Sequence, residues 1–203
     1  GFGTRLRPLT MNIPKPMVTI LNTPMMEHIV NLLKKYNIND IVSVLYFQPE
    51  IISSYFEDGK KFDINMNYVM ANADYGTAGA VKNAYEHLDE RFIIISGDIL
   101  TDFDIFKAID FHISKKAQAT ILLTRVPKPL QYGIVMTDDD GKITRFLLKP
   151  SWGQVFTDTI NTGIYILEPE VLDLIPYQEE FDFSKDLFPL MLQKKLPLYG
   201  FIA

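Results

Sequence analysis

The chain has 203 residues, 47% of them hydrophobic and 22% charged, with a net charge of −5. This composition supports one well-buried domain with no required division, and it argues against a disordered chain or a basic tail for nucleic acid. With no cysteine, disulfides and thiolate metal sites are excluded, which fits a reducing cytoplasm; no run approaches the roughly 20 apolar residues of a membrane span, and no signal peptide is expected.

Residues 25–36 place Met25, Ile29, Leu32, Leu33 and Tyr36 on one helical face, with Thr23-Pro24 marking its start. Residues 41–46 read as a short buried strand. A second helix opens at Pro49-Glu50 and is closed by Asp58-Gly59. Residues 67–70 predict a strand, and 77–88 a helix turning Ala80, Val81, Ala84 and Leu88 inward. Residues 92–96 form the plainest buried strand of the sequence. A helix over 104–115 and a strand over 119–126 follow. Strands over 134–137 and 143–148 flank Asp138-Asp-Asp-Gly141, a hairpin turn. The last elements are a strand over 160–167, a helix over 184–195 and a strand over 198–202.

Strand and helix alternate through the first 126 residues, which argues a parallel sheet covered on both faces. The later hairpin adds a β-rich extension. In such sheets a Gly-rich turn leaves a preceding strand and carries the ligand at that strand's carboxyl end. Here the Gly-rich turn comes first, so the first strand is expected to lie before Gly1, in a protein that continues beyond both ends of this chain.

That turn, Gly1-Phe-Gly-Thr-Arg-Leu-Arg-Pro-Leu-Thr10, combines two glycines, two arginines and two hydroxyls within ten residues. Glycines let backbone N–H groups approach phosphate oxygens, and arginine offers them a planar fork. Pro14-Lys15-Pro16-Met17 then holds a lysine between two rings that fix φ, which lowers the entropy cost of using it on a phosphate. On composition alone the stretch reads equally as a flexible basic terminus with a proline turn. It is neither a P-loop nor the dinucleotide fingerprint, since the Gly-Lys-Ser/Thr end and the third glycine are missing.

The two motifs together resemble the signature of the sugar-1-phosphate nucleotidyltransferases. Tyr75-Gly-Thr-Ala-Gly-Ala80 is similar to that family's nucleobase and ribose loop, Ser96-Gly97-Asp98 to its metal motif, and Ile160-Asn-Thr-Gly-Ile-Tyr165 to its sugar-binding strand. The likeness runs from residue 1 to about residue 200. Within the family, Lys149-Pro-Ser-Trp-Gly-Gln-Val-Phe156 running into Asp158-Thr-Ile-Asn-Thr-Gly163 resembles the mannose-1-phosphate guanylyltransferase branch.

The resemblance implies a nucleotide-diphospho-sugar transferase fold: a doubly wound, mostly parallel Rossmann-like sheet with a β-rich sugar-binding extension, here without its first strand. It implies a reaction between a nucleoside triphosphate and a hexose 1-phosphate, most specifically GTP and mannose 1-phosphate, with Mg²⁺ as cofactor. No nucleic-acid or membrane partner is expected, and self-association stays open. By the same likeness Arg5, Lys15 and Asp98 carry catalysis. Asp98 also holds the metal, an oxygen ligand for a hard cation. Gly1, Gly3, Thr4, Gly76, Thr77 and Gly79 bind the nucleotide. Gly133, Lys149 and Asn161 bind the sugar phosphate, with Tyr132-Gly133 laid against the hexose.

Several residues read two ways. Arg7 is a phosphate contact or a structural ion pair; Gln48 is a base contact or a surface residue before Pro49. Asp102 and Asp104 read as turn and helix cap, and His28, His87 and His112 as structural or surface groups. The chain departs from the family where Leu148 precedes Lys149-Pro150 in place of a glutamate. Leucine cannot accept hydrogen bonds from sugar hydroxyls, a loss of about 1–3 kcal/mol that bears on sugar identity and turnover. Relatives also carry a second metal-binding aspartate beyond the position of Ala203. Three alternatives remain at this stage: a regulatory relative that binds without turnover, an enzyme using glucose 1-phosphate with UTP or dTTP, and a nucleotide-binding module of another α/β family.

Overall fold

Two hydrophobic clusters organise the computed structural model, which describes residues 6–129, 132–148 and 157–203. The contacts divide the chain into one unit of Gly1–Asp74 with Ser96–Asp102, and a second of Tyr75–Ile95 with Phe103–Ala203.

In the first unit a small antiparallel ladder, β1 (Thr19–Ile20) with β2 (Thr23–Pro24), leads directly into α1 (Met25–Lys35). Glu27 in the first turn and Lys34 and Lys35 in the last oppose the helix dipole. The helix buries Met25, Met26, Ile29, Val30 and Leu33. Val30 takes the inward place expected of Leu32, which is half-buried. Strand β3 (Asp40–Leu45) pairs in parallel with β4 (Asn65–Met70), from Asp40 opposite Asn65 to Leu45 opposite Met70. Helix α2 (Pro49–Phe56) makes the crossover, its proline tolerated in the first turn where an N–H would lack a partner anyway. Met17, Met26, Val30, Leu45, Ile52, Phe56, Ile64 and Met66 form the core of this unit.

The second unit is built on β9 (Thr159–Leu167), which runs antiparallel to both β5 (Phe92–Ile95) and β6 (Ala119–Arg125). Strands β5 and β6 therefore share one direction, joined through α4 (Ile105–Ser114), and β10 (Leu198–Ile202) extends β6 in parallel. The expected hairpin is β7 (Gly133–Thr137) with β8 (Ile143–Leu148), attached to the start of β9 through Ile134 and Ile160. The fold is the α/β architecture expected, with β9 reversed between parallel neighbours. Strand β5 is half-buried at all four positions rather than the deeply buried strand expected, because β9 is its one partner strand among the described residues. Asp104 caps α4 as expected, accepting from the Lys107 N–H at 3.2 Å.

Two predicted helices are interrupted. The helix expected over 77–88 is α3 (Gly76–Lys82) followed by a 3-10 turn (Tyr85–His87), with the poor helix former Asn83 at the break. The helix expected over 184–195 begins as a π turn (Phe183–Leu187) and becomes α5 (Phe188–Gln193). Pro189 has no N–H for the ordinary helical bond back to Lys185, which lets the wider turn precede it. Asp182 caps this turn, accepting from the N–H groups of Ser184 at 2.8 Å and Lys185 at 3.0 Å.

Helix α3 packs its first turn against residues 179–182. The N–H groups of Ala78 and Gly79 both donate to the Phe181 carbonyl, at 2.9 and 3.0 Å. A Cβ on Gly79 would lie 2.5 Å from the Glu179 carbonyl oxygen. Thr77 donates its hydroxyl to Asp182 Oδ2 at 2.9 Å and accepts from the Phe183 N–H at 3.0 Å. Among the described residues no helix is long and apolar enough to cross a membrane.

His112, on α4, has no exposed surface. Its Nε2 lies 3.0 Å from Glu168 Oε1 and its Nδ1 2.7 Å from Thr120 Oγ1, while Arg91 Nε donates to the same Glu168 oxygen at 2.6 Å. An ionised carboxylate only accepts, so Nε2 carries a proton and neutral Nδ1 takes the Thr120 hydroxyl proton. Burial pushes His112 below its ordinary pKa, against the opposing pull of Glu168. For Glu168, burial pushes upward but is outweighed by its bonds from Arg91 and His112, which leave it below the ordinary carboxylate value. Both groups bind protons more readily in the unfolded chain, so stability is lost as pH falls and regained as it rises.

Two outcomes follow from this packing. Gly79→Ala lowers unfolding free energy by about 1–3 kcal/mol in urea denaturation, because the added carbon meets backbone that cannot yield cheaply. Unfolding free energy falls as pH drops below the ordinary histidine value of 6.5, and His112→Gln flattens that slope in the same titration.

Candidate active site

The lysine expected to meet a phosphate stands on a tethered segment. Lys15 opens a 3-10 turn (Lys15–Met17) after Pro14, whose carbonyl accepts from the Met17 N–H at 2.8 Å; the Val18 N–H returns to the Lys15 carbonyl at 3.1 Å. Prolines flank the lysine and Met17 is buried in the first unit's core, so the backbone beneath the ammonium has little freedom. From that position Lys15 Nζ forms an ion pair with Asp98 Oδ2. Asp98 follows β5 in the Ser96–Asp102 segment, where the Ile99 N–H closes a turn onto the Ser96 carbonyl at 3.2 Å.

Residues 83 positions apart are thus brought together. The two side chains are 34% and 31% exposed, so solvent reaches the pair. Exposed ion pairs contribute about 0–1 kcal/mol, and this one places opposite charges where reactants could find them more than it holds the fold.

Mg²⁺ takes oxygen ligands and is commonly held by one or two carboxylates together with substrate phosphates and water. Asp98 suits that donor set as a single carboxylate. Among the described residues no group of three or more His, Asp or Glu is placed to hold a metal.

The other expected residues divide by place. Gly1, Gly3, Thr4, Arg5 and Lys149 lie outside the described residues, as does the Leu148 side chain. Arg7 is exposed and makes no ion pair with the described residues, so the structural-pair reading finds no support there. Gln48 has left-handed backbone, φ 46° and ψ 54°, and its buried Oε1 has no hydrogen-bond partner among the described residues. Gly76, Thr77 and Gly79, expected to bind the nucleotide, are gathered at the start of α3. The Phe181 carbonyl occupies the donors of Ala78 and Gly79, and Glu179 and Phe181 explain the close-packed glycines.

Gly133 begins β7 opposite Leu148, and the neighbouring Tyr132 is exposed. Asn161, on β9, is half-buried and well satisfied: Nδ2 donates to Tyr165 Oη at 3.0 Å and Ser184 Oγ at 3.1 Å, and Oδ1 accepts from the Gly163 N–H at 2.8 Å. Burial pushes Tyr165 up to about 12, so its hydroxyl keeps its proton in this network. With both amide hydrogens engaged, the capacity left on Asn161 is the second lone pair of Oδ1, which suits a hydroxyl that donates.

Sequence reasoning missed Ser184 and Asp182, which reach Asn161 and Thr77 from 23 and 105 positions away without any local pattern to signal it. It also gave no role to the contact of Gly97 with Pro16, although a glycine beside the carboxylate and a proline beside the lysine were both visible.

The nucleotidyl transferase family model matches residues 1–203. A UTP–glucose-1-phosphate uridylyltransferase of Synechocystis is 40% identical over 98% of this chain and 55% of its own length. A probable mannose-1-phosphate guanylyltransferase of Oryza sativa is 36% identical over 93% of this chain and 53% of its own. The chain thus spans about half the length of these relatives. The crystal structure of HddC from Yersinia pseudotuberculosis complexed with GMP-PN superposes with a TM-score of 0.83 at 26% identity, covering 100% of this chain and 87% of that one. On the match along its whole length, together with relatives of this identity, the chain belongs to the nucleotidyl transferase family, among the sugar-1-phosphate nucleotidyltransferases.

Proposed function

We propose that the protein transfers a nucleoside monophosphate from a nucleoside triphosphate to a hexose 1-phosphate, releasing pyrophosphate. The observation that carries this reading is the Lys15–Asp98 pair: a preorganised cation beside a carboxylate, assembled from distant segments. In the reaction an oxygen of the sugar phosphate attacks the α-phosphorus. One P–O bond forms, the bond between the α-phosphorus and the bridging oxygen to the β-phosphorus breaks, and pyrophosphate leaves in line. Both reactants are anions, so positioning and positive charge supply most of the acceleration. Lys15 turns its ammonium from Asp98 to the phosphate oxygens, and Arg5 shares that charge. Asp98 would hold Mg²⁺, which would offset negative charge on the phosphates. Asn161 would accept a hydrogen bond from a sugar hydroxyl at Oδ1.

For substrates we propose GTP and mannose 1-phosphate, on the resemblance of residues 149–163 and on the Oryza relative's name. The uridylyltransferase relative, at 40% identity, favours a second reading with UTP and glucose 1-phosphate. Pyrophosphate release from a matrix of four nucleotides against several hexose 1-phosphates separates the two. No release from any pairing would leave the non-catalytic alternative. In the productive pairing, Lys15→Ala and Asp98→Ala each lower kcat by about 10²–10³-fold while the circular dichroism spectrum is retained. Near-normal turnover in either variant removes that residue from the mechanism.

A further inference from the structure

We infer that Lys15 is the resident counter-ion of Asp98, holding the metal carboxylate in a low-affinity state until phosphate oxygens draw the ammonium away. The inference rests on the proposed role of Asp98 and concerns how access to it is regulated. An ammonium and a divalent cation repel one another at the same carboxylate, so metal binding must displace or tolerate Lys15 Nζ on Oδ2. Lys15 Nζ already engages one of the two oxygens of Asp98, so an incoming metal meets a carboxylate whose charge is partly offset.

The pair is held by close packing beneath it. A Cβ on Gly97 would lie 3.0 Å from Pro16 Cγ and 3.3 Å from Pro16 Cβ. The residue beside the carboxylate therefore rests on the ring beside the lysine, and only a side chain without Cβ permits that approach without displacement. Gly97 and Pro16 are positioning residues: they fix the two backbones, and the flexible lysine stem moves the charge. A four-carbon stem can swing its ammonium to a phosphate oxygen without moving the backbone. Nucleotide and metal then favour one another through linkage, since whatever removes Lys15 from Asp98 strengthens both.

The test measures Mn²⁺ binding to the full chain without nucleotide, counting free Mn²⁺ by electron paramagnetic resonance. Lys15→Met keeps the stem and removes the charge, and is expected to bind Mn²⁺ about tenfold more tightly than the wild type. Lys15→Gln serves as a second neutral substitution in case the first does not fold. Gly97→Ala, which keeps both charges but forces Pro16 outward, is expected to give a smaller gain in the same direction. Adding Asp98→Asn to Lys15→Met abolishes the gain. A purely structural lysine would behave differently, since its loss would leave Mn²⁺ affinity unchanged or weaken it. Equal or weaker affinity in both neutral variants overturns the inference, as does a gain that survives Asp98→Asn or an absence of Mn²⁺ binding in every protein. Pyrophosphate release by the wild type is read separately, so the counter-ion role can fail while the transfer reaction stands.

Discussion

A lysine between two prolines and an aspartate after a glycine meet in the first unit, and the local backbone is arranged around that meeting. Each partner depends on a feature with no charge of its own. Met17 sinks into the core beside Leu45 and Phe56, anchoring the lysine's turn. Gly97 leaves room for the Pro16 ring, bringing the aspartate's turn alongside. Charge attraction contributes little to stability at this exposure, so apolar packing and proline stiffness supply the geometry. What the pair then presents to solvent is an ammonium and a carboxylate side by side.

The second unit follows another logic. Its polar residues are bound into one another: Thr77 to Asp182, Asn161 to Tyr165 and Ser184, His112 to Thr120 and Glu168. Buried polar groups are costly when unpaired, and His112 and Thr120, both fully buried, meet that cost with each other and Glu168. The two glycines of α3, Gly76 and Gly79, are packed just as closely, because backbone at 179–181 occupies the volume their side chains would need.

Much of the fold was legible along the sequence. Helical periodicity located α1, the Pro49 start located α2, and the apolar runs located β3, β5, β6 and β9. The exceptions have physical causes. Val30 outranks Leu32 because the core lies slightly to one side of the face that simple spacing selects. The last helix opens as a π turn because Pro189 lacks a donor, a local effect that averaging over a window conceals. At the candidate site, Lys15 and Asp98 were visible as residues in recognisable motifs. The Phe181 carbonyl that takes the α3 donors was not visible, since it approaches from about a hundred positions away and a carbonyl leaves no trace in residue identity.

Strand β9 is nine residues long and serves several partners: β6 along one edge, and β7 followed by β5 along the other. A strand so fully engaged cannot shift register without breaking ladders on both sides. Asn161 is therefore mounted on one of the least adjustable pieces of this unit. Sequence change around that fixed amide is absorbed more readily in the β8 strand of the β7–β8 hairpin and in the loops, where an altered residue leaves the ladders of β9 intact.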